Sequence, residues 1–112
     1  PDVDEKVKIA KYHLLPKAMH SSGILETDIA INDEIVKYIM QQYTDEYGVR
    51  NLEKLLTRLI STLSVIIHAP NTLQSVSLQY DGNLPFICTE KIVDEVFGNL
   101  PKKTEVFNMM YS

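Results

Sequence analysis

The strongest constraint on the fold is a long apolar stripe in the middle of the chain. Its residues recur three or four positions apart, the spacing that places side chains on one face of an α-helix. We therefore predict a long helix that begins after Gly48, runs to about His68 and is ended by Pro70 and Asn71. The stripe comprises Leu52, Leu55, Leu56, Leu59, Ile60, Leu63, Ile66 and Ile67.

Shorter helices are predicted on the N-terminal side of this stripe. Residues 3–14 carry Val3, Val7, Ala10 and Leu14 at helical spacing, and Pro16 should end or kink that helix because proline lacks a backbone donor. A second short helix over about 17–22 should stop at Gly23. A third helix, over 33–44, should begin at an Asn32 N-cap.

Residues 24–31 are expected to form a loop that leads to an extended stretch, 29–31. Residues 86–88 are apolar and could pair with it. Between them, alternation at 76–80 followed by Asp81-Gly82-Asn83 suggests a hairpin arm, with Pro85 restricting its second strand to an edge. Thr89 should cap a last helix that stops at Gly98, and 99–112 shows no clear period.

These elements predict a mostly α fold of four to five helices with a two-stranded β element and a possible hairpin arm. Among its 112 residues, 45% are hydrophobic and 23% charged, enough for one modest core. No apolar run is long enough to span a bilayer, so no membrane partner is expected. The acidic start without Met suggests a chain cut from a longer one at both ends.

Charge and chemistry argue against several functions. The net charge is −4 and no basic stripe is present, which disfavours nucleic-acid binding. Cys88 is the only cysteine, so neither a disulfide framework nor a thiolate metal site is possible, and we expect a small buried residue. The chain lacks a Gly-rich phosphate loop, and Pro16 separates His13 from His20. We predict no metal site and no catalytic residue in this chain.

One segment stands out from this background. Residues 43–53 read YTDEYGVRNLE, so a glycine turn is followed by Arg50 in the first turn of the long helix. A cation there opposes the helix dipole at a cost of about 0.3–1 kcal/mol, which Glu53 could partly offset. Taken alone, a surface arginine whose stem covers apolar area is the simpler interpretation, and a functional cation is the alternative.

Three blocks in this order resemble the small α-domain, or lid, of the AAA+ module of Lon proteases: KIAKYHLLPK at 8–17, YTDEYGVRNLE at 43–53 and TEKIVDEVFG at 89–98. The resemblance covers roughly residues 3–98 and implies a lid over 1–98 with a linker over 99–112 toward a protease domain. The chain departs from the pattern of bacterial members in a longer 69–85 segment. That insertion and the tail VFNMMY resemble mitochondrial members.

The resemblance implies that Arg50 is the sensor-2 residue, facing the γ-phosphate of ATP held in the preceding large AAA+ subdomain. It places Val49 and Ile9 near the adenine, although core packing would explain both. The parent would use ATP with Mg²⁺, and the isolated fragment would bind neither. The parent would be a homo-hexameric serine protease acting on unfolded proteins, with its Ser-Lys dyad beyond residue 112.

The resemblance to mitochondrial members favours the mitochondrial matrix, with the peroxisome or a bacterial cytoplasm as alternatives. The fragment alone should be monomeric. Two other hypotheses stay open at this stage: a stand-alone helical interaction module with an exposed apolar groove, and the lid of another AAA+ unfoldase.

Overall fold

The computed structural model describes residues 2–45, 49–69 and 80–111. The described chain is mostly helical, with one small parallel sheet. Its strands are β1 (Ile29–Ala30) and β2 (Phe86–Ile87). Its helices are α1 (Val3–Ile9), α2 (Leu15–Ser21), α3 (Asp33–Tyr43), α4 (Arg50–His68), α5 (Glu90–Val96) and α6 (Lys103–Tyr111), and a π-helical turn (Ala10–Leu14) joins α1 to α2. The mostly α prediction is confirmed.

Helix α4 is the centre of the core. It packs against α2, the π turn and α5. Seven residues of the predicted stripe are buried and Ile67 is partly buried. Leu56, Leu59, Ile60 and Leu63 have no exposed surface. Burying an aliphatic side chain of this size contributes about 1.5–3 kcal/mol, so this stripe is a major source of stability.

Pro16 was predicted to end or kink the N-terminal helix, and the ending is wrong, because helical backbone continues into α2. The short second helix predicted over about 17–22 is present as α2. The π turn carries the helix through, with the Leu15 N–H donating to the Ala10 carbonyl. Pro16 then lies in the first turn of α2, where a missing N–H is tolerated.

Two residues of the apolar face predicted for 3–14 lie differently. Val3 is 51% exposed, and Leu15 takes the buried position that was predicted for Leu14. Gly23 follows α2 at φ +71°, as its predicted role at the helix end requires.

Both predicted side-chain caps are confirmed. Asn32 Oδ1 accepts a 2.9 Å hydrogen bond from the Ile35 N–H at the start of α3. Thr89 Oγ1 accepts a 3.3 Å hydrogen bond from the Ile92 N–H at the start of α5. Each oxygen satisfies a backbone donor that has no partner within its helix.

The predicted pairing of the two apolar stretches is also confirmed. Strands β1 and β2 run parallel, with Ile29 opposite Phe86 and Ala30 opposite Ile87. A parallel pair needs a long crossover connection, and here α3 and α4 lie within it. Phe86 and Cys88 point into the core, and burial raises the pKa of the Cys88 thiol to about 12.

Most of the predicted hairpin arm falls on 70–79, outside the described residues. Within 80–85 the turn at Asp81-Gly82-Asn83 is present: Asp81 Oδ1 accepts from the Asn83 N–H at 2.9 Å, and Gly82 has φ +88°. Residues 80–85 contain no strand.

The tail is more ordered than its lack of period indicated. Helix α6 contacts α3, and its first turn is tied there by polar side chains. Gln42 Oε1 accepts from the Thr104 hydroxyl at 2.8 Å, and Lys103 pairs with Asp45 at 3.2 Å. Every residue of α6 is exposed. The division into a lid over 1–98 and a linker over 99–112 remains a prediction. In the described part of the chain, no helix combines the length and apolarity that crossing a bilayer requires.

Candidate functional site

Arg50 is the first residue of α4, and its side chain is exposed. Within the described residues, its guanidinium makes no hydrogen bond and no ion pair. The helix that begins with it is held along most of its length by the buried stripe. Arg50 is therefore an exposed cation without a partner in the described part of the chain, at the start of a helix that the core holds in place.

The N-terminal end of α4 lacks the side-chain cap seen elsewhere. Asp2, Asn32 and Thr89 each cap a helix with a side-chain oxygen, whereas Val49 precedes α4 and has no side-chain acceptor. The positive end of the helix dipole favours an anion at this position. The Arg50 guanidinium adds a full charge of the same sign, so the electrostatics suit a phosphate group.

Glu53 does not offset the Arg50 charge by pairing with it, as its spacing had suggested. Its carboxylate instead lies 3.3 Å from Lys17 Nζ on α2. This exposed pair is worth about 0–1 kcal/mol, so its main effect is to place the first turns of α4 beside α2. Glu53 is therefore not paired with Arg50.

Val49 and Ile9, the two residues predicted near the adenine, are both partly buried. Among the described residues, neither belongs to the buried core or to the partly buried side chains packed directly on it. Ile9 ends α1, and the π turn that follows it packs against α4. Both side chains thus retain apolar surface outside the core.

A polar cluster around Asp94 was missed by the sequence analysis. Tyr38 Oη donates to both carboxylate oxygens at 2.8 Å, Tyr43 Oη donates to Oδ1 at 2.7 Å, and Lys102 Nζ donates to Oδ2 at 3.2 Å. The cluster joins α3, α5 and the segment before α6. No local spacing signals it, because Tyr43 and Asp94 lie 51 positions apart.

The electrostatics of this cluster favour an ionised Asp94. Burial alone would raise the pKa of Asp94, but the hydrogen bonds from Tyr43, Tyr38 and Lys102 outweigh it and lower the pKa. Burial and the bond to Asp94 raise the pKa of Tyr43, so this hydroxyl stays protonated as a donor. The geometry is that of a structural tie, since each donor is satisfied within the chain.

Other candidate chemistry is limited. In residues 2–45, 49–69 and 80–111, no three His, Cys, Asp or Glu side chains are grouped so as to hold a metal ion. His13 and His20 are both exposed. A groove of about 420 Å³ lies between the end of α3 and α6, lined in part by Tyr43, Val106 and Phe107. Such a groove would suit the interaction-module hypothesis, so the surface alone does not decide between the hypotheses.

Comparison with known proteins resolves the class. Residues 20–72, which include α3, Val49, Arg50 and α4, match the family model of the Lon protease AAA+ ATPase lid domain. The Lon protease of Acinetobacter baumannii is 36% identical over 85 residues, which are 73% of this chain and 10% of that protein. A mitochondrial Lon protease homolog of Debaryomyces hansenii is 38% identical over 64 residues, 57% of this chain and 6% of that protein.

A peroxisomal Lon protease homolog 2 of Zea mays is 40% identical over 62 residues, 55% of this chain and 7% of that protein. The helical fold and these similarities define an AAA+ ATPase lid domain. Within that class, the chain belongs to the Lon protease family. It spans a tenth or less of the length of these three relatives. They include bacterial, mitochondrial and peroxisomal proteins, so a mitochondrial type is one of several possibilities.

Proposed function

We propose that this lid senses nucleotide for an ATP-dependent Lon-type serine protease, through contact between Arg50 and the γ-phosphate of ATP. The ATP and its Mg²⁺ would be held by the large AAA+ subdomain of the same polypeptide. The observation that supports this most is the exposed Arg50 guanidinium, which has no partner among the described residues and lies at the first residue of a helix fixed in the core.

The chemistry of arginine suits this role. Its guanidinium stays charged and can donate to two phosphate oxygens at once. A charge-assisted hydrogen bond contributes about 1.5–3 kcal/mol, so losing the γ-phosphate would shift the balance between lid positions by roughly 10- to 150-fold. Rotation of the lid against the large subdomain would then couple hydrolysis to unfolding and translocation of a protein substrate in a homo-hexamer. The peptidase residues would lie outside this chain.

Ile9 and Val49 would provide apolar contacts to the adenine. Their partly exposed side chains, which do not pack on the core, support this assignment. A planar base gains from apolar neighbours because its faces are poorly hydrated. For the parent protein we propose the mitochondrial matrix, on the strength of the 69–85 segment and the tail, with the peroxisome and a bacterial cytoplasm as alternatives.

The test is Arg50→Ala in the full-length protein. We expect ATP hydrolysis and ATP-driven degradation of a folded substrate to fall at least about tenfold, the loss of one charge-assisted contact. Lys54→Ala is the matched control, because Lys54 is an exposed cation one turn further along α4. Unchanged degradation in Arg50→Ala, or an equal loss in Lys54→Ala, would contradict the sensor role.

A further inference from the structure

The carboxylate of Glu53 has two possible cationic partners. Glu53 is the only acidic residue of α4 and lies three positions after Arg50, a spacing at which a carboxylate and a guanidinium on one helix can pair. In the structure it pairs instead with Lys17 on α2, with Glu53 Oε2 and Lys17 Nζ 3.3 Å apart. The one anion that α4 itself offers to Arg50 is thus bound by another helix.

The packing of α2 on α4 brings Lys17 to this carboxylate. Leu15 and Ala18, on either side of Lys17 in the chain, are buried in the same hydrophobic cluster as Leu56 of α4. The backbone from which the Lys17 side chain extends is therefore fixed against the helix that carries Glu53. Both ends of the pair start from elements that the core holds in place.

Both side chains of the pair are in contact with solvent, Lys17 at 74% exposed and Glu53 at 38%. An exposed ion pair is weak, so a second cation at pairing distance competes with the first. Lys54 does not compete in this way, because residues adjacent in a helix do not face each other. Without Lys17, the cation left at pairing distance from Glu53 along α4 is Arg50.

We propose that Lys17 is a positioning residue for Arg50, because its pairing with Glu53 keeps that carboxylate from competing with the γ-phosphate of ATP for the guanidinium. This inference rests on the proposed role of Arg50. Carboxylate and phosphate oxygens bind the same guanidinium donors, so pairing with one removes donors from the other. The effect belongs to ATP and not to ADP, which lacks the γ-phosphate.

Lys17→Met in the full-length protein tests this, since methionine retains an apolar stem and removes the charge. Isothermal titration calorimetry should show the affinity for a non-hydrolysable ATP analogue falling about two- to fivefold, and that for ADP changing less than about 1.5-fold. Lys17→Arg keeps a cation for Glu53 and should bind both nucleotides as the wild type does. The matched control is Lys54→Met, which removes an exposed cation from the same groove between α2 and α4 and should change neither affinity more than about 1.5-fold.

Removing the carboxylate as well should reverse the loss. We expect Lys17→Met with Glu53→Gln to regain wild-type affinity for the ATP analogue, a rescue that a general loss of stability would not allow. A double variant as weak as Lys17→Met, an equal loss of ADP affinity in Lys17→Met, or an equal loss in Lys54→Met would overturn the inference.

Combination with Arg50→Ala separates this inference from the sensor role. If Lys17 acts through Arg50, Lys17→Met causes no further loss of affinity once Arg50 is absent. Wild-type affinity in Lys17→Met beside a weakened Arg50→Ala would overturn the inference and leave the sensor role intact. Unchanged affinity for the ATP analogue in Arg50→Ala would refute the sensor role itself, and the inference with it.

Discussion

Lys102 Nζ lies 3.2 Å from Asp94 Oδ2, and the side chains of Tyr38 and Tyr43 donate to the same carboxylate. One anion thus joins α3 to α5 and to the segment before α6. Its partners are all within the chain, which makes the protonation state of Asp94 a determinant of lid stability rather than of chemistry.

The lid should therefore lose stability in acid. The folded state lowers the pKa of Asp94 below its unfolded value of about 3.9, so this contribution is present above pH ~4 and is lost as the pH falls through the lower folded pKa. Urea unfolding between pH 6 and pH 3 should show the decline. Asp94→Asn should be less stable at pH 6, and its free energy of unfolding should depend less on pH. An unchanged pH dependence would show that other carboxylates dominate the loss of stability in acid.

Cys88 should be unreactive in the folded lid. Its side chain is 3% exposed, and burial raises the pKa of its thiol to about 12, so very little thiolate is present at pH 8. A chromogenic disulfide reagent should react with one equivalent of thiol in urea and with almost none in native buffer. Cys88→Ala is the control without a thiol. Rapid labelling of Cys88 in native buffer would contradict the prediction and would mean that the segment around β2 opens readily.

Leu59→Ala should destabilise the lid by about 2–5 kcal/mol, because it opens a cavity at the centre of α4. Leu59 has no exposed surface, whereas Val65 on the same helix is 43% exposed. Val65→Ala should change the free energy of unfolding by less than about 1 kcal/mol. Thermal or urea unfolding of the two variants measures the difference; similar losses would contradict the central place of the stripe.

Local sequence signals predicted the elements that depend on local physics. The stripe on α4 is long enough that helical spacing is unmistakable, and the Asn32 and Thr89 caps follow from side chains that bond within three residues. The pairing of 29–31 with 86–88 was also anticipated, because both stretches are apolar, whereas its parallel direction came from the structure.

The rest depended on contacts that no short window contains. Helix α6 has no apolar stripe, and its start is placed by Gln42 and Asp45 from another helix. The cluster around Asp94 needs partners more than 50 positions away. At the candidate site, the sequence singled out Arg50 because it follows a predicted glycine turn. The pairing of Glu53 with Lys17 could not be predicted, because it depends on the packing of α2 on α4.

Because of the π turn at Ala10–Leu14, the number of residues in the N-terminal helical segment determines whether Pro16 can be accommodated. The π turn behaves as a one-residue insertion, since Leu15 takes the place on the buried face that Leu14 would hold in an uninterrupted α-helix. Deleting one residue from 11–14 would keep the face aligned but move the proline into an ordinary helical turn, where its ring meets the carbonyl four residues earlier. A shortened segment would therefore stay helical only if Pro16 were replaced in the same step.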